Sequence, residues 1–143
     1  MIVTDFIVCD DIRSELGMKL SLMGIYNDRI RLQLRPGTSI DWPTGIKLGI
    51  YIRAEIDSEK SSSAFKLQAA FNDINLLEVT GPLTRVSDSK VSVIQIVVPS
   101  FPLMGLGEIH FSLFFSETES EFHAAPNFRS KIAVQTEELQ PNP

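Results

Sequence analysis

Apolar and polar side chains alternate almost without a break along IKLGIYIRAEID, residues 46–57. A two-residue period is the pattern of a β-strand that buries one face in a core and exposes the other to water. Shorter copies of the pattern occur at Ile30–Leu34, Phe65–Phe71 and Ile109–Phe115. The sequence therefore predicts a protein built from amphipathic strands.

The segment Val91–Val98 differs, because it is apolar at both alternating positions, which is typical of a central strand covered on both faces. Turn-forming residues separate the apolar runs at Asn27-Asp28, Gly81-Pro82 and Pro99–Pro102. About eight strands with local connections are typical of two packed sheets. We expect an all-β fold, an antiparallel two-sheet sandwich resembling immunoglobulin-like or C2-like domains.

The chain of 143 residues is long enough for one domain with its own core and too short for two. Hydrophobic residues make up 43% of it, which favours a folded chain over a disordered one. We expect a single sandwich domain over residues 1–136. The polar C-terminal end, residues 137–143, is predicted to be a disordered tail.

Charge and cysteine content limit the class of protein. The formal net charge of −5 argues against general nucleic-acid binding, which depends on basic residues that neutralise phosphates. The single cysteine, Cys9, excludes an internal disulfide and indicates a reducing compartment. The N-terminus lacks the features of a signal peptide, and Val91–Gly107 is too polar and proline-rich for a membrane helix. We expect a cytoplasmic protein with no membrane association.

Catalytic and metal-binding motifs are largely missing from the sequence, which has no nucleophile elbow, glycine-rich phosphate loop or paired cysteines. The two histidines, His110 and His123, flank a predicted hairpin and would lie roughly 10–13 Å apart, too far to share a zinc ion. The acidic run Glu117–Glu121 is interpreted as a solvated hairpin tip, and Cys9 as a buried core thiol. We predict no catalytic residue, no metal site and no cofactor.

A charged group near the start of the chain, Asp10, Asp11, Arg13 and Glu15, is the first candidate ligand-binding site. Adjacent carboxylates beside a basic residue can bind a cation or a polar ligand. They can equally cap a short helix beginning near Asp10, or solvate the end of a strand.

The second candidate site combines Tyr26, Arg29 and Arg31. If Asn27-Asp28 is a two-residue hairpin turn, Tyr26 lies opposite Arg29, and Arg31 lies opposite Gly24. An aromatic ring beside two guanidinium groups can hold a phosphate, a carboxylate or a stacked base. The alternatives are a solvent-facing strand with a cation–π contact, or a longer turn that would separate these residues.

The opening of the chain carries a recognisable pattern, F-x-x-C-D-D-I-R-x-E at residues 6–15 and K-x-S-L-x-G-I-Y at residues 19–26. This pattern resembles an uncharacterised family of small bacterial and phage proteins. The resemblance covers about the first fifth of the chain and supplies no catalytic residue. It implies a bacterial or phage setting, in which small acidic sandwich proteins often act by binding.

The leading hypothesis is a non-enzymatic interaction module, an accessory or counter-defence factor that binds a protein partner or a small anionic ligand. One alternative is a structural component of a virion or another assembly, in which strand edges pair between copies; homo-oligomerisation is left open. A second alternative is a divergent metal-dependent hydrolase or nuclease that uses Asp10, Asp11 and Glu15 around a metal.

Overall fold

The computed structural model describes residues 1–56, 62–84 and 89–140 of the chain, and these residues form ten strands. In chain order the strands are β1 Ile2–Glu15, β2 Lys19–Tyr26, β3 Arg29–Leu34, β4 Thr44–Glu55, β5 Ala64–Phe71, β6 Ile74–Pro82, β7 Val91–Leu103, β8 Gly107–Ser116, β9 Phe122–Ala124 and β10 Ser130–Glu138. The described residues contain no helix. The predicted all-β class is confirmed, with ten strands where about eight were expected.

The strands form two sheets packed face to face. The first sheet has four strands in the order β2-β1-β4-β7, and we call it sheet A. The second, sheet B, has the order β3-β10-β8-β5-β6, with the short β9 beside β8. All pairs are antiparallel except β3 and β10, which run parallel. That pair differs from the fully antiparallel expectation.

Strand β4 follows the alternation of its sequence. Leu48, Ile50 and Ile52 are fully buried in the core between the sheets, so Gly49 and Tyr51 lie on the outer face of sheet A. The strand spans Thr44–Glu55, close to the predicted 46–57, and Asp57 lies outside the described residues.

One hydrophobic core draws on both sheets. Its largest fully buried side chains come from β3, β4, β5, β7, β8 and β10: Phe101, Ile30, Leu48, Ile50, Ile52, Leu67, Leu103, Ile109, Leu113 and Val134. Sheet B supplies most of the aromatic rings, and Phe101 of sheet A lies among them in the same cluster. Because each sheet can bury its apolar face only against the other, the two sheets are mutually dependent.

The prediction of a central strand at Val91–Val98 is wrong, because β7 lies at one edge of sheet A. The turn predicted at Pro99–Pro102 is wrong as well, since β7 continues through both prolines to Leu103. Proline has no N–H to donate, but an edge strand needs backbone partners on one side only, so proline is tolerated there. Phe101 and Leu103 are fully buried, and their burial keeps this segment on the core.

The hairpin predicted at Asn27-Asp28 is also wrong. Strand β2 pairs with β1 in sheet A, whereas β3 pairs with β10 in sheet B, so these two residues connect the sheets. A turn-forming dipeptide specifies a change of direction without specifying the next pairing partner, and the core determines that partner.

The C-terminal strand β10 extends to Glu138, two residues past the predicted domain boundary. Glu137 and Glu138 pair with Gln33 and Leu34 of β3, and the backbone N–H of Leu139 donates to the carbonyl of Leu34 at 2.7 Å. Polar side chains are compatible with this strand because β10 is joined to β3 by hydrogen bonds between backbone groups. Residues 141–143 of the expected tail lie outside the described residues.

Truncation of Ile50 tests the central role of β4. Ile50 is fully buried, so Ile50→Ala should lower the free energy of unfolding by about 2–5 kcal/mol through lost burial and a residual cavity. The matched control is Ile74→Ala at a side chain that is 50% exposed, for which we expect a change below about 1 kcal/mol. Urea denaturation measures both values, and equal losses would contradict the assignment of the core.

Candidate functional site

A two-stranded hairpin extends from sheet A and forms one wall of the candidate site. Strand β1 pairs with β4 from Ile2 to Cys9, whereas its pairing with β2 continues to Glu15. Residues 10–24 therefore have no third strand beside them, and we call this hairpin the arm. At its turn, Gly17 and Met18 both have positive φ, at 80° and 60°.

The arm is held against the outer face of sheet A at Gly49. A Cβ atom on Gly49 would lie 3.0 Å from Cys9 Sγ and 3.0 Å from Ile12 Cγ1. Strict alternation would place the side chains of residues 9 and 12 on opposite faces of β1. Both side chains nevertheless lie against Gly49, which has no side chain of its own. Strand β1 therefore bends between Cys9 and Ile12, and the arm turns over the sheet.

Cys9 lies at this bend as a buried thiol, as expected from the sequence. Its Sγ is 3.4 Å from the carbonyl oxygen of Asp11 and 3.6 Å from that of Gly49. Burial raises the pKa of the Cys9 thiol, so the neutral form is favoured. The side chain serves as packing between β1 and β4.

Polar contacts fix the base of the arm on both sides. The Asp11 carboxylate lies 3.0 Å from Lys47 Nζ of β4 and 3.4 Å from Arg13 Nε. On the other side, the Tyr26 hydroxyl donates to the Asp10 carboxylate. Gly24 has a φ of 65°, and a Cβ atom there would overlap the Asp10 carboxylate. The arm is therefore held at its base by contacts within the chain.

These contacts change the titration of two groups. The Lys47 ammonium, through a hydrogen bond and its charge, lowers the pKa of the Asp11 carboxyl. Burial, with a smaller contribution from Asp10, raises the pKa of the Tyr26 phenol. Asp11 is therefore held as a carboxylate, and Tyr26 is held as a hydrogen-bond donor.

An open trough of about 860 Å³ lies between the arm and the outer face of sheet A. Six apolar or aromatic side chains contribute to its lining, three from the sheet and three from the arm: Ile7, Tyr51, Val93, Met18, Leu20 and Leu22. Charged side chains also line it, namely Asp5, Glu15 and Lys19. This combination of apolar surface and a few charges is typical of binding sites.

The tip of the arm exposes two large apolar side chains. Leu16 is 96% exposed and Met18 is 91% exposed, and Met18 also lines the trough. Such exposure is unfavourable in water unless a partner covers the surface.

The structure separates the members of the first predicted site, and β1 continues through Glu15 without the short helix considered as an alternative. Asp10 contacts Tyr26, Asp11 and Arg13 contact each other, and Glu15 lies across from Lys19 in the trough wall. The carboxylates contribute mainly to the position of the arm.

The residues of the second predicted site lie close together, although they lie on strands of different sheets and not on one hairpin. Tyr26, Arg29 and Arg31 line one shallow depression of about 360 Å³ at the crossing between the sheets. The Arg29 guanidinium donates twice to the Asp28 carboxylate, at 3.0 and 2.8 Å, and this pairing lowers the pKa of Asp28. An anionic ligand at Arg29 would have to displace that carboxylate.

The histidines lie on sheet B. His110 is exposed on β8, and His123 on β9 pairs with Phe115 of β8. Within residues 1–56, 62–84 and 89–140, no group of three His, Cys, Asp or Glu side chains is placed to hold a metal ion. In the same part of the chain, no helix is long and apolar enough to cross a membrane.

Comparison with known proteins gives no match, either to a protein-family model or to a curated protein. The geometry of the trough therefore carries the functional interpretation.

Sequence reasoning missed the trough, because the β1–β2 hairpin was not predicted. One signal was present, since Leu16, Met18, Leu20 and Leu22 alternate with polar residues or glycine across the turn at Gly17. The common environment of Met18, Leu20 and Leu22 in the trough depends on the packing of β1 against Gly49, a contact between residues about 40 positions apart in the chain.

Crowding at Gly49 tests how the arm is held. Gly49→Ala should destabilise the protein by about 1–3 kcal/mol, because the new methyl group lies too close to Cys9 and Ile12. The control is Gly105→Ala, whose Cβ would meet Phe71 at an ordinary 3.6 Å and should be nearly neutral. Thermal and urea unfolding measure both. Adding Cys9→Ala should relieve part of the loss, and no relief would contradict the contact.

The ion pair at the base of the arm has a pH signature. In the native protein, ¹³C NMR titration should give Asp11 a pKa below its ordinary value, and Lys47→Met should raise it. Because the folded pKa is lowered, this contribution to stability is present above the unfolded pKa and is lost as the pH falls through the folded value. Lys131→Met, which removes the partner of Glu108, should leave Asp11 unchanged.

Proposed function

We propose that this chain is a non-enzymatic binding module that holds a segment of a protein partner in the trough. The observation that supports this is the fixed arm. Ile12 and Cys9 pack against Gly49, and Asp11 pairs with Lys47, so the apolar trough is formed in the free protein. A preformed site loses little conformational entropy on binding.

Apolar burial supplies the main driving force in this proposal. Each square ångström of apolar surface removed from water contributes roughly 25 cal/mol, and the trough offers surface from both the sheet and the arm. The exposed Leu16 and Met18 at the tip extend that surface. A partner segment with two or three large apolar side chains would cover both regions.

The charges of the trough favour a basic residue in the partner segment. Glu15 lies directly opposite Lys19 in the β1–β2 pairing, so these two charges offset one another. Asp5 lies opposite Arg53 of β4, but the Arg53 guanidinium pairs with Glu55 at 2.8 Å, so Asp5 leaves a negative charge in the lining, on a protein with a net charge of −5. The proposed occupant is therefore an apolar peptide segment that carries a positive charge.

A small anionic ligand is the weaker candidate. The depression at Tyr26 holds a guanidinium that already pairs with Asp28, whereas the trough presents apolar surface to solvent. We also propose, from the opening sequence pattern, a bacterial or phage accessory or counter-defence role in the cytoplasm. The likeness to immunoglobulin-like or C2-like sandwiches belongs to the same proposal, and its support is the pair of packed, mainly antiparallel sheets.

A random linear peptide library displayed on phage tests the trough. Peptides that bind the full chain should contain large apolar residues next to Lys or Arg, and Leu20→Asp in the trough should weaken them by at least about tenfold. The matched control is Leu139→Asp, one residue past the end of β10, at a side chain that is 41% exposed, and it should leave binding unchanged. Circular dichroism and thermal unfolding verify that both variants are folded.

Two outcomes would contradict the proposal. One is failure to enrich any peptide whose binding depends on Leu20. The other is binding of inorganic phosphate that Arg31→Ala weakens and Leu20→Asp does not, which would move the function to the depression at Tyr26.

A further inference from the structure

Strand β7 forms an outer edge of sheet A, and among the described residues β4 is its only partner strand. In the part of the chain that the structure describes, no strand pairs with the backbone N–H and C=O groups on the far side of β7. Proteins usually protect such edges with charged side chains, prolines or bulges, because an open edge pairs with other chains.

The edge of β7 lacks these protections over Val91–Val98. Its sequence there is VSVIQIVV, with no charge and no proline over a length of roughly 27 Å. Of the other edge strands, β3 has Arg29 and Arg31, β6 has Glu78, and β2 has Lys19 at its first residue and Gly24 with positive φ near its end, while β9 is only three residues long. Among the described edge strands, β7 therefore has the longest segment without charge or proline.

We propose that a second copy of this chain pairs antiparallel along β7, with the two-fold axis at Gln95. In this register Gln95 lies opposite Gln95 of the second copy, Val93 lies opposite its Val97, and Ile94 lies opposite its Ile96. Two amides meet at the axis and β-branched side chains meet on either side of it, and both kinds of pair stabilise antiparallel strands. No like charges oppose each other.

Self-pairing suits β7 better than the edge strand β3. An antiparallel copy of β3 would bring four arginines together, which is unfavourable for a strand pair. The exposed faces also fit, because Val97 is 42% exposed on the outer face and would be covered by Val93 of the second copy. Closed two-fold dimers are the commonest arrangement of soluble oligomers.

The pairing would join two four-stranded sheets into one continuous sheet of eight strands. A two-fold axis perpendicular to the sheet keeps both outer faces on the same side. Since Val93 and Gln95 line the trough, the two troughs would lie next to each other across the axis. This inference does not depend on the proposed partner, because it concerns the chain alone.

Sedimentation velocity of the full chain from about 1 µM to about 1 mM tests the dimer. The native protein should shift from monomer towards dimer as its concentration rises. Gln95→Lys places two like charges at the axis and should weaken association by at least about tenfold. The matched control is Ser112→Lys, which adds the same charge at an exposed position of β8 and should dimerise as the native protein does.

Charge complementation identifies the register. Gln95→Glu alone should also weaken association, whereas an equimolar mixture of Gln95→Lys and Gln95→Glu should form a heterodimer. Circular dichroism verifies that each variant is folded. A native chain that is monomeric at every concentration would overturn the proposal, as would a Gln95→Lys variant that dimerises normally. If the mixture fails to associate, the two-fold axis does not lie at Gln95.

Discussion

Burial of one face of β4 is the constraint on which the other features depend. Because Leu48, Ile50 and Ile52 are fixed in the core, the residues between them must lie on the outer face of sheet A. A shift by one residue would exchange the two faces and bury Lys47. The same register therefore places Gly49 where Cys9 and Ile12 can pack against it, and the position of the arm follows from the packing of the core.

The charged residues near the start of the chain are explained by this arrangement. A two-stranded arm buries little apolar surface of its own, so its direction depends on a few contacts at its base. Asp11 reaches Lys47 on one side, and Asp10 accepts the Tyr26 hydroxyl on the other, where Gly24 leaves room for it. The pKa of Asp11 is lowered because its charge is used in this contact. These carboxylates orient the arm and do not themselves line the trough.

Sequence patterns correctly predicted those features of the fold that depend on neighbouring residues in the chain, such as which face of a strand is buried. The alternation at residues 46–57 gave the correct faces of β4, because burial on one side acts on every second residue. The pairing partners of the strands could not be predicted from local patterns. Asn27-Asp28 indicates a change of chain direction but does not indicate that the chain crosses to the other sheet. Pro99 argues against a central strand but is compatible with an edge strand. The trough was missed for the same reason, since Gly49 acts through residues far away in the sequence.

The outer face of sheet A forms one wall of the trough and the arm forms the other, and the edge strand β7 is uncharged over Val91–Val98. Elsewhere, several charges are already paired within the chain, including Asp28 with Arg29 and Lys131 with Glu108. Recognition through sheet A, as proposed, would therefore depend more on removing apolar surface from water than on ionic contacts. Salt screens exposed charges and affects apolar burial much less. Binding by apolar burial should therefore depend less on salt concentration than binding by ionic contacts. The net charge of −5 then has a separate effect, since mutual repulsion limits non-specific association of a chain that leaves an apolar edge open.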